Sequence, residues 1–246
     1  MGATTDRLRD PRQRQQRATR ILDAAAELLL RHGYRRVTVE DVAAGAGIGK
    51  GTIYLHWKTR EELFTAVFQR EVLRAIGELV GALHQDPQLC LLHRFARAYF
   101  LAILHRPLLR GLVLGDADLL GRLAEPGSAR DDRHRLMSHA YFELLAEHRL
   151  LRDDLDVEAI AYAFQATFEG FLLAEAADAA PAPASAGHAA AGLDQRADLL
   201  ARTVQRAFES GRTIPRRLQQ SLATAVIELL TDLTDADRAD LGIAEA

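Results

Sequence analysis

Twenty residues, Thr38 to Trp57 (TVEDVAAGAGIGKGTIYLHW), constrain this chain more than any other stretch. Two short helices joined by a turn of about three residues must cross at a steep angle. Close crossing needs a small residue at the contact, and Ala43 stands there. The turn needs a residue that adopts positive φ without strain, which Gly47 does. Val42, Ile48 and Ile53 provide apolar anchors toward the body. Thr38 with Asp41 three residues on is a capping pair, with Asp in place of the usual Glu or Gln. It starts a helix from Val39 to about Ala46, and another runs from Gly49 or Lys50 to about His56. The pattern predicts a helix-turn-helix, the unit that lays its second helix in the DNA major groove.

The flanks are helical too. Ile21, Leu22, Ala25, Leu28 and Leu29 recur at spacings of three and four, so Ala18 to His32 reads as the first helix, ended by Gly33. Thr59 with Glu62 forms a capping box that launches a fourth helix through Leu63, Ala66, Val67 and Arg70. Helical periodicity continues with breaks at Asp86-Pro87, Arg106-Pro107, Gly115, Glu125-Pro126-Gly127 and Arg152-Asp153-Asp154. The Pro/Ala/Gly-rich residues 179–192 read as a mobile loop. Helices then resume at Leu193–Phe208 and from Arg216 to about Leu233. Leu and Ala dominate, aromatics make up only 6%, and no run alternates with period two. The expected fold is all-α: a basic flexible arm (1–17), a DNA-binding domain (18–64) and a larger helical domain (65–246).

Residues 1–70 hold 13 Lys and Arg against 8 Asp and Glu, a net +5, while the remainder carries −8. One part suits a polyanion and the other avoids it. Both lysines of the chain, Lys50 and Lys58, fall inside the proposed DNA-facing segment. Arg7, Arg9, Arg12, Arg14 and Arg17 form an arm that either enters the minor groove or lies along phosphates, or is a solubilising tail. No apolar run is long enough for a membrane span, and the polar Arg-rich start does not read as a signal peptide, so a cytoplasmic protein without membrane association is expected. Cys90 alone builds neither a disulfide nor a Cys-based metal site, and the nine histidines show no His-x-x-x-His pair. No metal, cofactor or catalytic residue is expected, since neither a phosphate loop nor a nucleophile elbow is present.

The stretch from Ile21 to Phe68, about a fifth of the chain, and above all G-I-G-K-G-T-I-Y-L-H-W-K-T-R-E-E-L, resembles the TetR family of bacterial repressors. The resemblance implies a three-helix DNA-binding domain followed by a variable domain that dimerises and binds a small effector. By position it makes Lys50 to His56 the recognition helix. Lys50 then meets base edges at the helix N-terminus, and Thr52 bonds a phosphate or touches a thymine methyl. Tyr54 and His56 match positions that contact the backbone, Lys58 is placed as a phosphate clamp, and Thr38 caps the second helix near the DNA. Gly51 lets the helix approach closely. The family usually has Ser where this chain has Gly49, so a hydroxyl contact is missing there.

In the body, Val157, Ile160, Phe164, Phe168 and Phe171 mark one bulky helical face. Ala159, Ala163, Ala166, Gly170, Ala174 and Ala177 mark a small-residue face. Family analogy makes that face and Leu193–Phe208, with Leu200 and Val204, the seam of a homodimer. A twofold dimer is expected in any case, because one helix-turn-helix contacts too few bases and two read a palindromic double-stranded operator. Candidates for an effector pocket are Phe95, Tyr99, Phe100, His105, His139, Tyr141, Phe142, Tyr162, Gln165 and Glu169, a set suited to a small, largely apolar or aromatic effector. The expected function is a homodimeric repressor released from its operator by that effector. The alternatives are a ligand-independent or activating regulator of the same fold, or an enzyme with an accessory DNA-binding head.

Overall fold

The computed structural model describes residues 11–121, 129–178 and 192–241, and these are helical nearly throughout. Among them the single extended pairing is the isolated bridge between Leu151 and Glu209. The loop expected at 179–192 lies outside the described residues except for Gly192, and so do Arg7 and Arg9 of the expected arm. The chain divides into two compact units. One comprises Met1–Val72, Pro107–Glu125 and Arg238–Ala246, the other Leu73–Arg106 and Pro126–Asp237.

The first unit holds α1 (Pro11–His32), α2 (Val39–Gly45), α3 (Lys50–Tyr54), the start of α4 (Arg60–Gln85), α6 (Pro107–Leu114) and α7 (Ala117–Leu120). Its α1 begins seven residues before the expected Ala18, so Arg12, Arg14 and Arg17 lie on a helix and not on a flexible arm. Pro11 at the first helical position is pre-set for the helix, and the Arg and Gln that follow are good helix formers without an apolar stripe to reveal them. Ile21, Leu22, Ala25 and Leu29 of α1 are buried with Val42 and Ala43 of α2, Ile53 of α3 and Leu63, Phe64 and Val67 of α4. Leu108 of α6 and Leu120 of α7 enter the same core. The unit is therefore discontinuous in sequence, contrary to a boundary at residue 64.

Two devices fasten the chain between α1 and α2. Gly33 has φ +73, and a Cβ there would lie 2.9 Å from the Asp118 carbonyl oxygen, so only glycine fits without strain. That same carbonyl accepts the Tyr34 N–H at 3.0 Å, docking α7 on the turn. From the other side, the Arg60 guanidinium lies 4.0 Å from the Tyr34 ring centre and 5.0 Å from that of Phe64. Its Nε donates to the Val37 carbonyl at 3.0 Å, and Nη2 donates to the Tyr34 carbonyl. The approach to α2 is thus held by stacking and hydrogen bonds together.

The second unit holds the remainder of α4, a 3₁₀ turn (Pro87–Cys90), α5 (Leu92–Leu104), α8 (Ala129–Glu147), α9 (Val157–Asp178), α10 (Leu193–Phe208) and most of α11 (Arg216–Leu241). Its centre is the packing of α5 on α10. Ala96, Phe100 and Ile103 are buried from one side, and Ala197, Leu200, Ala201, Val204 and Phe208 from the other. Arg97 of α5 reinforces this contact by bonding Asp198 at 2.6 Å and Asp194 at 2.9 Å. Glu209 finishes α10 and caps the start of α5, accepting from the His93 N–H at 2.8 Å. Arg196 holds Glu175 at 2.6 and 2.7 Å, joining the N-terminal end of α10 to the C-terminal part of α9. Cys90 is fully buried, and burial pushes its thiol up to about 11, consistent with a packing role.

Candidate nucleic-acid interface

Thr38 sets the first helix of the motif. Its hydroxyl oxygen accepts the Asp41 N–H at 3.2 Å, and the Asp41 carboxylate accepts from the Thr38 N–H at 2.9 Å and hydroxyl at 2.6 Å. These two bonds to Thr38 hold the Asp41 carboxyl below its usual range. The capping box expected from the sequence is complete despite the shorter Asp. The chain then turns through Gly47, at φ +66, and the Ile48 N–H reaches the Ala43 carbonyl at 3.0 Å. With Val42 and Ala43 buried at the crossing, this turn fixes the direction in which α3 leaves.

Gly49 caps α3 from an extended conformation without a side-chain bond, as its lack of a hydroxyl requires. Ile53 is buried and anchors the helix, whereas Lys50, Gly51, Tyr54 and Leu55 are exposed and Thr52 is half-buried. The helix ends at Tyr54, earlier than the expected His56. The N–H groups of His56 and Trp57 both point back to the Ile53 carbonyl, at 2.9 and 3.0 Å, so His56 sits in the turn beyond α3. Burial, and after it the positive charges of Arg14 and Arg17, lower the His56 pKa. These influences favour the neutral ring, which offers an N–H donor in place of a cation. Lys58 is exposed beyond this turn, its N–H bonded to the Glu62 carboxylate at 2.6 Å. Glu62 in turn donates its own N–H to the Thr59 hydroxyl at 3.0 Å, so Thr59 starts α4 as expected.

Lys50 and Tyr54 lie together: the ammonium stands 5.7 Å from the ring centre. Lys50 also donates to Oε1 of Glu40 in the first turn of α2. That hydrogen bond is the main reason the Lys50 pKa is raised and the Glu40 pKa lowered. Glu40 and Arg60 escaped the sequence reading. The acidic residue was masked by its neighbour Asp41, whose capping role explained the local charge, and Arg60 carries no spacing signal for a contact 26 residues away.

The effector candidates separate into two groups. Phe95, Tyr99, Phe100, Tyr141 and Phe142 cluster with Phe164 and Phe168. Phe95 lies 5.1 Å from Tyr141, Tyr99 lies 5.3 Å from Phe168, and Phe142 lies 5.4 Å from Phe164. His105, His139, Tyr162, Gln165 and Glu169 are instead exposed and do not join them. Gln165 and Glu169 bond each other at 2.6 Å on the outer face of α9, one turn apart, because a helix that packs its Phe face must turn these residues outward. A cavity of about 270 Å³ lies elsewhere in this unit, lined in part by Gln88, His93, Arg94, Glu209 and Arg212.

The seam residues also separate. Ala166, Gly170 and Ala174 of α9 are exposed and Ala163 is half-buried. Leu200 and Val204 are fully buried against α5 within the protomer. They are core residues, because the apolar stripe of α10 finds its cover in the same chain. The outer faces of α9 and α10 carry Tyr162, Leu173 and Leu199 at 77%, 58% and 51% exposure. No helix among the described residues is long and apolar enough to cross a membrane.

Residues 21–67 match the family described as bacterial regulatory proteins, tetR family. A helix-turn-helix-type transcriptional regulator of Mycobacterium tuberculosis, itself uncharacterised, is 42% identical over 90 residues, covering 35% of this chain and 45% of that protein. The chain thus spans about half the length of the curated relatives it matches. The fold of SmeT, the repressor of the Stenotrophomonas maltophilia multidrug efflux pump SmeDEF, is similar with a TM-score of 0.57. The identity is 21%, over 81% of this chain and 94% of that one. NalD, the secondary repressor of the MexAB-OprM multidrug efflux pump in Pseudomonas aeruginosa, gives a TM-score of 0.56 at 20% identity, over 81% of this chain and all of that one (100%). At these identities the two structures show a shared fold.

Proposed function

We propose that this chain belongs to the tetR family of bacterial regulatory proteins, whose pattern its residues 21–67 match, and is a cytoplasmic, sequence-specific transcriptional regulator. It acts as a homodimeric repressor, released from a palindromic operator by a small effector. The observation that carries the reading is the exposed face of α3, with Lys50, Gly51 and Tyr54 presented outward from a helix anchored by Ile53. Lys50 reads a base edge, Thr52 and Tyr54 support it, and Thr38, His56 and Lys58 position the backbone. Selection from a pool of randomised duplexes tests this. Enrichment of an inverted repeat, with half-sites about one helical turn (~34 Å) or a multiple apart, is the expected result. Failure to enrich any sequence would overturn it. Lys58→Ala is expected to weaken binding to all duplexes alike and to lower the salt slope of the dimer by about 2, roughly 1 for each protomer. A changed base preference in that variant would remove Lys58 from the clamp role.

The dimer seam lies on the outer faces of α9 and α10. Exposed apolar groups of this size gathered on neighbouring helices favour burial against a partner, and the small residues Ala166, Gly170 and Ala174 allow helices to approach closely. Ala166→Glu places two like charges across a twofold axis. Sedimentation of this variant is expected to show a monomer at concentrations where the parent chain is a dimer, and an unchanged dimer would relocate the seam. The aromatic cluster around Phe95, Tyr99, Tyr141 and Phe142 supports a largely apolar or aromatic effector. The cavity beside His93, at about 270 Å³, falls just below the roughly 300–1,000 Å³ usual for ligand sites.

A further inference from the structure

A surface that meets phosphates is disfavoured by carboxylates, yet α2 presents two in its first turn, Glu40 and Asp41. Asp41 has a structural task, since its carboxylate closes the capping box with Thr38. Glu40 has no part in that cap. Its carboxylate reaches across to Lys50, the first residue of α3, ten positions on. Both side chains remain open to solvent, 60% for Glu40 and 47% for Lys50. The result is a hydrogen-bond acceptor and a donor held side by side at the N-terminal edge of the recognition helix.

We propose that Glu40 is a specificity-determining residue that reads the operator together with Lys50, taking a cytosine amino group while Lys50 takes guanine. This rests on the DNA-reading function proposed above. The groove chemistry supports the pairing. An ionised carboxylate only accepts, and the donors on the major-groove floor are cytosine N4 and adenine N6. An ammonium only donates, and guanine O6 and N7 are the paired acceptors that suit it. A G·C pair, or a G·C step, displays both patterns next to each other. Against the acceptor atoms of guanine or thymine the carboxylate is repelled, so Glu40 also discriminates by exclusion. In the free protein the two side chains satisfy one another. An exposed ion pair is weakly held, so exchange for base contacts is not impeded.

The test compares the parent chain with Glu40→Gln and Glu40→Ala in selection from a randomised duplex pool, followed by affinity measurements at one fixed salt concentration. Both substitutions are at an exposed position outside the core, and thermal unfolding of each variant checks that the fold is kept. The expected result is loss of the cytosine preference at one position per half-site, by roughly ten- to hundredfold, with the other positions unchanged. Glu40→Gln is expected to shift that position toward adenine, whose N6 and N7 suit an amide. An unchanged consensus, with tighter binding to every duplex, would reduce Glu40 to a general electrostatic brake and overturn the proposal. An unchanged consensus with unchanged affinity overturns it equally. If the parent chain itself enriches no sequence, the DNA-reading function fails, and this inference with it.

Discussion

Lys50→Ala and Tyr54→Ala are each expected to remove specific operator binding while leaving the fold and the dimer intact. Lys50 is the first residue of α3, and its ammonium is steadied by Glu40 and by the Tyr54 ring 5.7 Å away. Loss of one well-placed base contact reduces discrimination roughly ten- to hundredfold. A dimer presents the residue twice, so for Lys50→Ala the effect on a full operator multiplies to about 10²–10⁴. Neither side chain is in the core, so the melting temperature of either variant should match that of the parent. Affinity for the selected operator and for an unrelated duplex, both at one salt concentration, distinguishes this from a general loss of charge. Undiminished operator affinity in both variants would remove α3 as the reading element.

The second large effect concerns stability. Phe64→Ala is expected to destabilise the first unit by about 3–5 kcal/mol, the range for emptying a buried aromatic site. Phe64 is fully buried, meets the Tyr34 ring edge-on at 5.4 Å, and lies under the Arg60 guanidinium. A domain has only about 5–15 kcal/mol of net stability to lose. Calorimetry should therefore show the thermal transition falling by roughly 10–20 °C, with DNA binding lost at temperatures where the parent still binds. Phe64→Leu retains most of the volume and should lose much less. A Phe64→Ala transition unchanged from the parent would mean that the ring contributes nothing to the core.

The helix-turn-helix was legible in the sequence because its constraints are local. Thr38 and Asp41 are three residues apart, Gly47 is required by its own φ, and Val42, Ala43 and Ile53 repeat within a few turns. What depends on distant partners was not legible. An apolar stripe such as Leu200 and Val204 looks the same whether a second chain or α5 covers it, and here α5 does. Tyr162 suggested a pocket wall because aromatics are usually buried, yet it is the most exposed large apolar side chain described. The start of α1 carried no apolar period, so only Pro11 marked it. Lys50 could be placed at the start of α3 from its position in the motif. Glu40 required the pairing in space, which no spacing rule between separate helices provides.

The docking of α7 on Gly33 and Tyr34 bears on how such a protein can be assembled and altered. The N-terminal helices share their core with Leu108 and Leu120, which follow after an intervening stretch of chain belonging to the other unit. The helix-turn-helix head is therefore not a cassette. Cutting the chain at Val72 would uncover apolar surface on α1 and α4 and strip the Tyr34 N–H of its acceptor. A hybrid regulator that grafts this head onto another body must carry two stretches of sequence, the second running through Pro107 to Gly121. The same requirement makes any side chain at Gly33 depend on where the Asp118 carbonyl stands, although 85 positions separate them.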